Sequence, residues 1–424
     1  MQTNQSPAPG GPETAGAGKA KLPFVLVTVL INMAGIGIIA PVSPFIAERY
    51  GADGFAIGML FTAYSIASFI ALPGLGALSD RFGRKPVLLI SLLGSAVGYL
   101  ITGIGGALWV LFLGRIIDGL TGANISTIYA YVSDVTEPKE RGRTFGLLGA
   151  MAGLGFVIGP IIGGVFSQIS YEAPLFVAAA ITLANVAWGW VSMKESLPVE
   201  RRATSITLSQ LNPATQLAGA LKMPMLRWTL IATLLVALTF AALQANLSVL
   251  LKDTFRWGPD AAAVIFTLFG VIGIVVQGGL VRALDKRVPT ERMALAGLGL
   301  MLVSFVMMGF VPVLRSPQLV FAAVAVMAVG NSLVTPALAT LVSAVVGPRD
   351  QGRVQGSSQA LQSLGRIAGP TMGGSLYESV GHGAPYFAGA FQLVLAVAAL
   401  VMSIPGLNVV RAQAPKPVAV PAGK

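Results

Sequence analysis

Twelve stretches of about twenty predominantly apolar residues follow one another along this chain, and nothing else narrows its folding options as far. That length is what a helix needs to cross a hydrocarbon layer roughly 30 Å thick. In lipid every backbone polar group has to be paired within the protein, which leaves helices and closed barrels. The runs are continuous rather than alternating, so a β-barrel is excluded. The spans are expected near 22–47, 55–78, 86–105, 108–132, 145–168 and 174–192, then near 228–251, 260–284, 292–313, 318–346, 353–378 and 384–407. With 54% hydrophobic and only 11% charged residues, the chain has too few polar side chains for a soluble surface.

The net charge of +11 invites a nucleic-acid reading, but the placement of the basic residues refutes it. If both termini lie on one side, only Arg49, Lys252, Arg256 and Arg315 fall on the other, and Arg115 and Arg366 fall within spans. Every other Lys and Arg lies on the side of the termini, which the positive-inside rule identifies as cytoplasmic. The basic excess therefore reports topology and contact with anionic lipid headgroups, with no nucleic-acid partner. The chain has no cysteine, so disulfides and thiolate chemistry are excluded, and its one histidine, His382, falls in an outer loop. No metal-ligand cluster, catalytic triad or P-loop spacing appears, so no cofactor, metal or enzymatic activity is expected. Residues 1–18 lack a basic region followed by an apolar one, as a signal peptide would have.

The longest polar interval between spans, 194–227, divides the chain into six spans plus six. The expected organisation is a disordered cytoplasmic tail over 1–21, a bundle over 22–193, a cytoplasmic linker over 194–227, a second bundle over 228–407 and a cytoplasmic tail over 408–424. Comparison of the halves exposes a repeat. Residues 135–164 read VTEPKERGRTFGLLGAMAGLGFVIGPIIGG and residues 345–374 read VVGPRDQGRVQGSSQALQSLGRIAGPTMGG. At one constant offset Gly142-Arg143 matches Gly352-Arg353, Gly159-Pro160 matches Gly369-Pro370, and Gly163-Gly164 matches Gly373-Gly374. GGLVRALDKRVP, ending at Pro289, likewise echoes GALSDRFGRKP at 76–86. Six spans per half keep the two copies in the same orientation, a transporter arrangement with its site between the halves. The expected fold is an all-α membrane protein of twelve transmembrane helices in two pseudo-symmetric six-helix bundles.

These residues resemble the major facilitator superfamily. GALSDRFGRKP resembles its signature between the second and third spans, carrying Gly76, Asp80, Arg81, Gly83 and Arg84. Gly114-Arg115, with Gly119 and Gly122, is similar to its arginine motif of the fourth span. GFVIGPIIGG, with Gly155, Gly159, Pro160, Gly163 and Gly164, resembles the fifth-span motif of its antiporters. Residues 32–44, NMAGIGIIAPVSP, are similar to the first span of the tetracycline-efflux branch. The resemblance implies a cytoplasmic latch favouring the outward-facing state, in which Asp80 meets the start of the eleventh span and Arg84 meets Asp134. Tetracycline exporters of Gram-negative bacteria carry aspartates in spans one, three and nine; the positions here hold Asn32, Gly98 and Met301.

Asp118 is the one acidic residue well inside a predicted span, with Arg115 three residues earlier on the same helical face. An ionised Asp near the centre of a span costs about 2.5–3.5 kcal/mol on insertion scales, so it should face protein or water. The pair is either a proton-coupling site, with burial and the guanidinium acting in opposite directions on the carboxyl, or a permanent ion pair tying the fourth span to a neighbour. Arg366 continues a polar stripe with Gln362, Gln359 and Gln355, which reads either as an anion-binding cavity face or as a hydrogen-bond ladder between helices. Asn32, Gln244, Asn246, Gln277 and Asn331, with Tyr64, Tyr129, Phe240 and Phe266, could line a mixed pocket suited to amphipathic compounds. The leading function is proton-coupled export of drug-like or lipophilic small molecules by a monomer in the inner membrane. A metabolite transporter on the same fold, taking a sugar or an organic acid, and a non-transporting membrane receptor are the alternatives.

Overall fold

A computed structural model of the chain describes residues 22–137, 139–205, 224–285, 287–344 and 351–413, with the side chains at 224–225, 285, 344, 351–353, 355 and 406–413 excepted. The tail over 1–21, the middle of the linker and residues 414–424 lie outside the described residues. The first half runs α1 (Leu22–Glu48), α2 (Gly54–Phe82), α3 (Arg84–Ile104), α4 (Leu108–Gly122), α5 (Ile125–Val135), α6 (Arg141–Ser167) and α7 (Ala173–Ser192). The second half runs α8 (Pro224–Phe255), α9 (Pro259–Val275), α10 (Thr290–Leu314), α11 (Pro317–Ala344), α12 (Gln351–Ser379) and α13 (Ala384–Gln413). A π-helical turn, Val276–Val281, carries α9 on towards Asp285. No strand occurs among the described residues.

Two corrections to the expected spans follow. The fourth is one span made of two helices, broken at Ala123 and Asn124. In addition, α8 starts before 228 and α13 continues past 407. Eleven spans are apolar and long enough to cross a membrane. The remaining span, α12, is as long at 29 residues but polar along one face. Turn chemistry sets the helix ends. Asp53 caps α2 by accepting from the Ala56 N–H at 2.7 Å. Gly83 separates α2 from α3 at φ +103°, a left-handed conformation that favours glycine.

Each half is built around a seam of close backbone contact. In the first, α6 packs along α1: Gly155 lies against Leu30 and Ala34, Gly159 against Ala34 and Gly37, and Gly163 against Ile38 and Pro41. In the second, α12 packs along α8 in the same way, with Gly365 on Ala237 and Leu238, Gly369 on Leu238 and Ala241, and Gly373 on Ala242 and Asn246. Small residues permit this approach, and dispersion over the seam holds the helices in lipid.

The halves meet along α2 with α12 and α6 with α9, always in the portions remote from the termini. Gly58 and Gly374 sit on the backbone of Pro370 and Gly54, and Gly164 and Gly270 sit on Ala263 and Val157. Thr62 donates to the Ile367 carbonyl at 2.7 Å, Glu378 accepts from the Gly54 N–H at 2.7 Å, and Lys252 pairs with Glu48. At the other end the halves diverge. Among the described residues nothing stands within 4 Å of a Cβ placed on Gly142, Gly146 or Gly149 of α6, or on Gly278 or Gly279 beyond α9. The described bundle is sealed at the end away from the start of α1 and open at the end that carries it.

Candidate functional site

A cavity of about 210 Å³ lies at the apex of this opening, walled by α1 to α5 from one half and α12 from the other. Asn32, Tyr64, Asp118, Asn124, Gln359 and Arg366 are among its polar lining residues. Asp118 is buried, and accepts from Arg115 Nη1 at 3.1 Å. The pair is therefore formed within α4, three residues apart, and does not by itself tie α4 to another helix. Links to neighbours come from the two ends of the pair. Ser95 of α3 lines the cavity wall beside Asp118, and the Arg115 guanidinium sits 4.3 Å from the centroid of the Tyr64 ring on α2. A carboxylate and a guanidinium held together in this way offset much of each other's desolvation.

Gly98 explains how Asp118 reaches α3 so closely. A Cβ added to Gly98 would lie 2.8 Å from the Asp118 Cβ. The α3 wall is thus empty of side chain at Gly98, and a carboxylate from α4 occupies the adjoining space. Met301, the ninth-span position, is fully buried in the apolar core.

The break in the fourth span lies one turn beyond Asp118. Asn32 Nδ2 donates to Asn124 Oδ1 at 2.9 Å, joining α1 to the break, and Ser91 of α3 donates to the Thr121 carbonyl. Across the cavity Arg366 is exposed to the opening, and its Nη2 donates to Ser363 Oγ at 3.2 Å. Gln359 lies one turn before Ser363 on the same wall.

The remaining predicted lining residues lie elsewhere. Tyr129 is 45% exposed and packs edge-on against Phe145 at 5.4 Å. Gln362 points back along its own helix to Ser358 at 3.5 Å. Gln244, with Phe240 and Phe266, faces a separate aromatic pocket of about 10 Å³, too small for more than a water molecule. Asn246 is buried and donates to the Ala242 carbonyl at 2.8 Å. Gln277 sits on the π-helical turn, and Asn331 accepts from Thr335 at 3.5 Å. The side chain of Gln355 lies outside the described residues.

The α2–α3 motif gathers around Arg84, which is buried. Its guanidinium donates to Asp80 at 2.6 Å, to Ser79 Oγ at 2.6 Å and to Asp134 at 3.3 Å. The expected contact of Arg84 with Asp134 is formed. Asp80 pairs with Arg84 and its carboxylate is about half exposed; the side chains at the start of α12, where its other expected contact falls, lie outside the described residues. Arg81 stacks over Phe82 at 5.3 Å, and a Cβ added at Gly76 would lie 3.5 Å from Ser126 Oγ. One partner was not anticipated: Glu195, read as linker, accepts from the N–H groups of Arg84 at 2.9 Å and Lys85 at 3.2 Å. It caps the start of α3, where helix N–H groups favour an anion. Ser196 beside it donates to Asp134 at 3.0 Å. An acid following a span and facing an unpaired helix start was the available signal.

The family model described as Major Facilitator Superfamily matches residues 25–370 and 229–423. The chain is similar to Tetracycline resistance protein, class C, of Escherichia coli: 33% identical over 387 residues, covering 89% of this chain and 95% of that protein. It is 31% identical over 382 residues to Multidrug resistance protein 2 of Bacillus subtilis (strain 168), covering 88% and 92%. In fold it matches a bacterial homologue of the human lysosomal transporter Spinster. That likeness has a TM-score of 0.72 at 14% identity and covers 96% of this chain and 100% of that one.

Proposed function

We propose, since the chain belongs to the major facilitator superfamily, that it is a secondary transporter exporting drug-like, lipophilic small molecules in exchange for protons. Relatives named for tetracycline and multidrug resistance support the substrate class. The observation that carries the coupling is the buried Arg115–Asp118 pair in the wall of a cavity shared by two diverging halves. As the halves rock, the cavity is exposed to one side or the other, and with it the carboxyl that takes up and releases the proton. The adjoining Gly98 supports this role, because it makes room for an acid from α4 beside the place where the tetracycline exporters carry theirs.

The excess of Lys and Arg on the face of the termini assigns that face to the cytoplasm of a cell with this protein in its inner membrane. The open end is then cytoplasmic, and the arrangement described is inward-facing. In that state the half-exposed Asp80 is the released part of a cytoplasmic gate made of Gly76, Asp80, Arg81, Gly83, Arg84 and Asp134. The glycines and Pro160 of α6 form the seam about which the first bundle moves as a unit. The cavity is walled within one chain, so a monomer surrounded by lipid suffices.

The test is proton flux in liposomes carrying the purified protein and an imposed pH gradient, with a panel of amphipathic compounds added. Compound-dependent flux in the wild type, lost in Asp118→Asn, is the expected result. An Asp118→Asn protein with wild-type coupled flux would remove Asp118 from the mechanism, and no flux with any compound would remove transport itself.

A further inference from the structure

We infer that the cavity contains an anion subsite, so that the exported molecule presents a carboxylate or a similar anionic group; this deepens the transport reading and rests on it. The first element of the subsite is the break in the fourth span. There α5 restarts inside the bundle, eleven residues long, with Asn124 at its N-cap. Its first backbone bond runs from the Ile128 N–H to the Asn124 carbonyl at 3.1 Å, and the Asn124 side chain caps none of the preceding N–H groups. These groups and the dipole behind them favour negative charge at this point.

The carbonyl side of the break is treated differently. Ser91 donates to the Thr121 carbonyl, and Thr121 Oγ1 donates to the Ile117 carbonyl at 2.7 Å. The break therefore offers the cavity donors, while its Thr121 carbonyl is occupied. A second observation points to a ligand independently. Asn124 is fully buried, its oxygen is taken by Asn32, and its Nδ2 has no hydrogen-bond partner. Both Asn124 and Ile125 line the cavity.

The third element comes from the other half. Arg366 opens into the same cavity with only Ser363 bonded to its guanidinium, and among the described residues it has no acidic partner. Asp118 also lies in the wall, but its charge faces Arg115. An unpaired guanidinium at membrane depth is unfavourable, and a carboxylate seated against it gains a charge-assisted hydrogen bond. A volume of about 210 Å³ suits an anionic headgroup, whose apolar remainder extends into the cleft. Donors from α5 and α12 thus converge from the two halves on one negative group.

The test measures binding of rhodamine B and of its ethyl ester to the full chain in lipid nanodiscs by fluorescence anisotropy. The two dyes share the xanthene cation and differ in the free carboxylate. Rhodamine B is expected to bind at least about tenfold more tightly than the ester, the scale of one hydrogen bond to a charged group. Arg366→Gln should bring that ratio close to one. Asn124→Asp keeps a good N-cap residue and adds a repelling charge, so it should do the same, and it decides the matter alone if Arg366→Gln does not fold. Equal affinity for the two dyes, no binding of rhodamine B by folded protein, or a ratio that survives in a folded variant would overturn the subsite. Compound-driven proton flux alongside equal dye affinities would overturn the subsite alone and leave transport standing.

Discussion

The two halves of the molecule share a scaffold and differ in chemistry. The α6–α1 and α12–α8 seams use glycines at matching positions against matching turns of the partner helix, and each sends its last glycine, Gly164 or Gly374, across to the other half. The interiors diverge. The first half holds a buried Arg–Asp pair, a broken span and most of the polar cavity wall. In the second half α11 carries no charged residue at all, and α8 and α9 enclose an aromatic pocket. Backbone approach is dictated by packing, which both copies must satisfy. Charge is dictated by what passes through: the first copy supplies the Arg115–Asp118 pair and the second supplies Arg366.

Three changes would break or sharpen that contrast, in descending order of effect. Arg115→Leu leaves the buried Asp118 unpaired, and should destabilise the protein by about 3–5 kcal/mol. The purified variant should unfold well below the wild type in a thermal ramp, and Arg115→Leu with Asp118→Leu should recover most of the loss without coupled flux. A variant as stable as the wild type would show that the pair is not structural. At the seams, Gly159→Val and Gly369→Val should each destabilise by about 1–3 kcal/mol, the usual range for overpacking. An added Cβ would stand 2.9 Å from the Gly37 Cα in one case and 3.1 Å from the Ala241 Cβ in the other. Gly149→Val, which meets nothing, is the control; unequal losses at the two seams would disprove their equivalence. The smallest effect on stability belongs to Asp80→Asn, under about 1 kcal/mol for so exposed a pair. Its readout is transport rate, which should fall as the balance between the two facing states shifts, and a wild-type rate would reduce the motif to a capped turn.

What could be read in the sequence, and what could not, follows from the range of the forces involved. Twelve spans were legible because lipid demands a long apolar run wherever a helix crosses. The glycine seams were legible because the repeat marked the same positions twice. The break at Ala123–Asn124 was not, since no proline interrupts the run and the interruption is held by partners from elsewhere, Asn32 and Ser91. Cavity residues were only half legible for a related reason. In an apolar helix both flanks of a polar residue look alike, and Gln244 turned to an aromatic pocket while Gln359 turned to the cavity. Glu195 escaped notice because its role depends on a helix start more than a hundred residues away along the chain.

The polarity of α12 has a consequence for how the protein is made. An arginine at the centre of a span disfavours release into lipid by about 2.5–3.5 kcal/mol, and four glutamines precede Arg366 on the same helix. This segment leaves the ribosome after ten of the twelve spans, and by then α2 and α8, the helices it packs against, already stand in the bilayer. The order of synthesis thus delivers the one helix least able to partition alone to a membrane that already holds its berth.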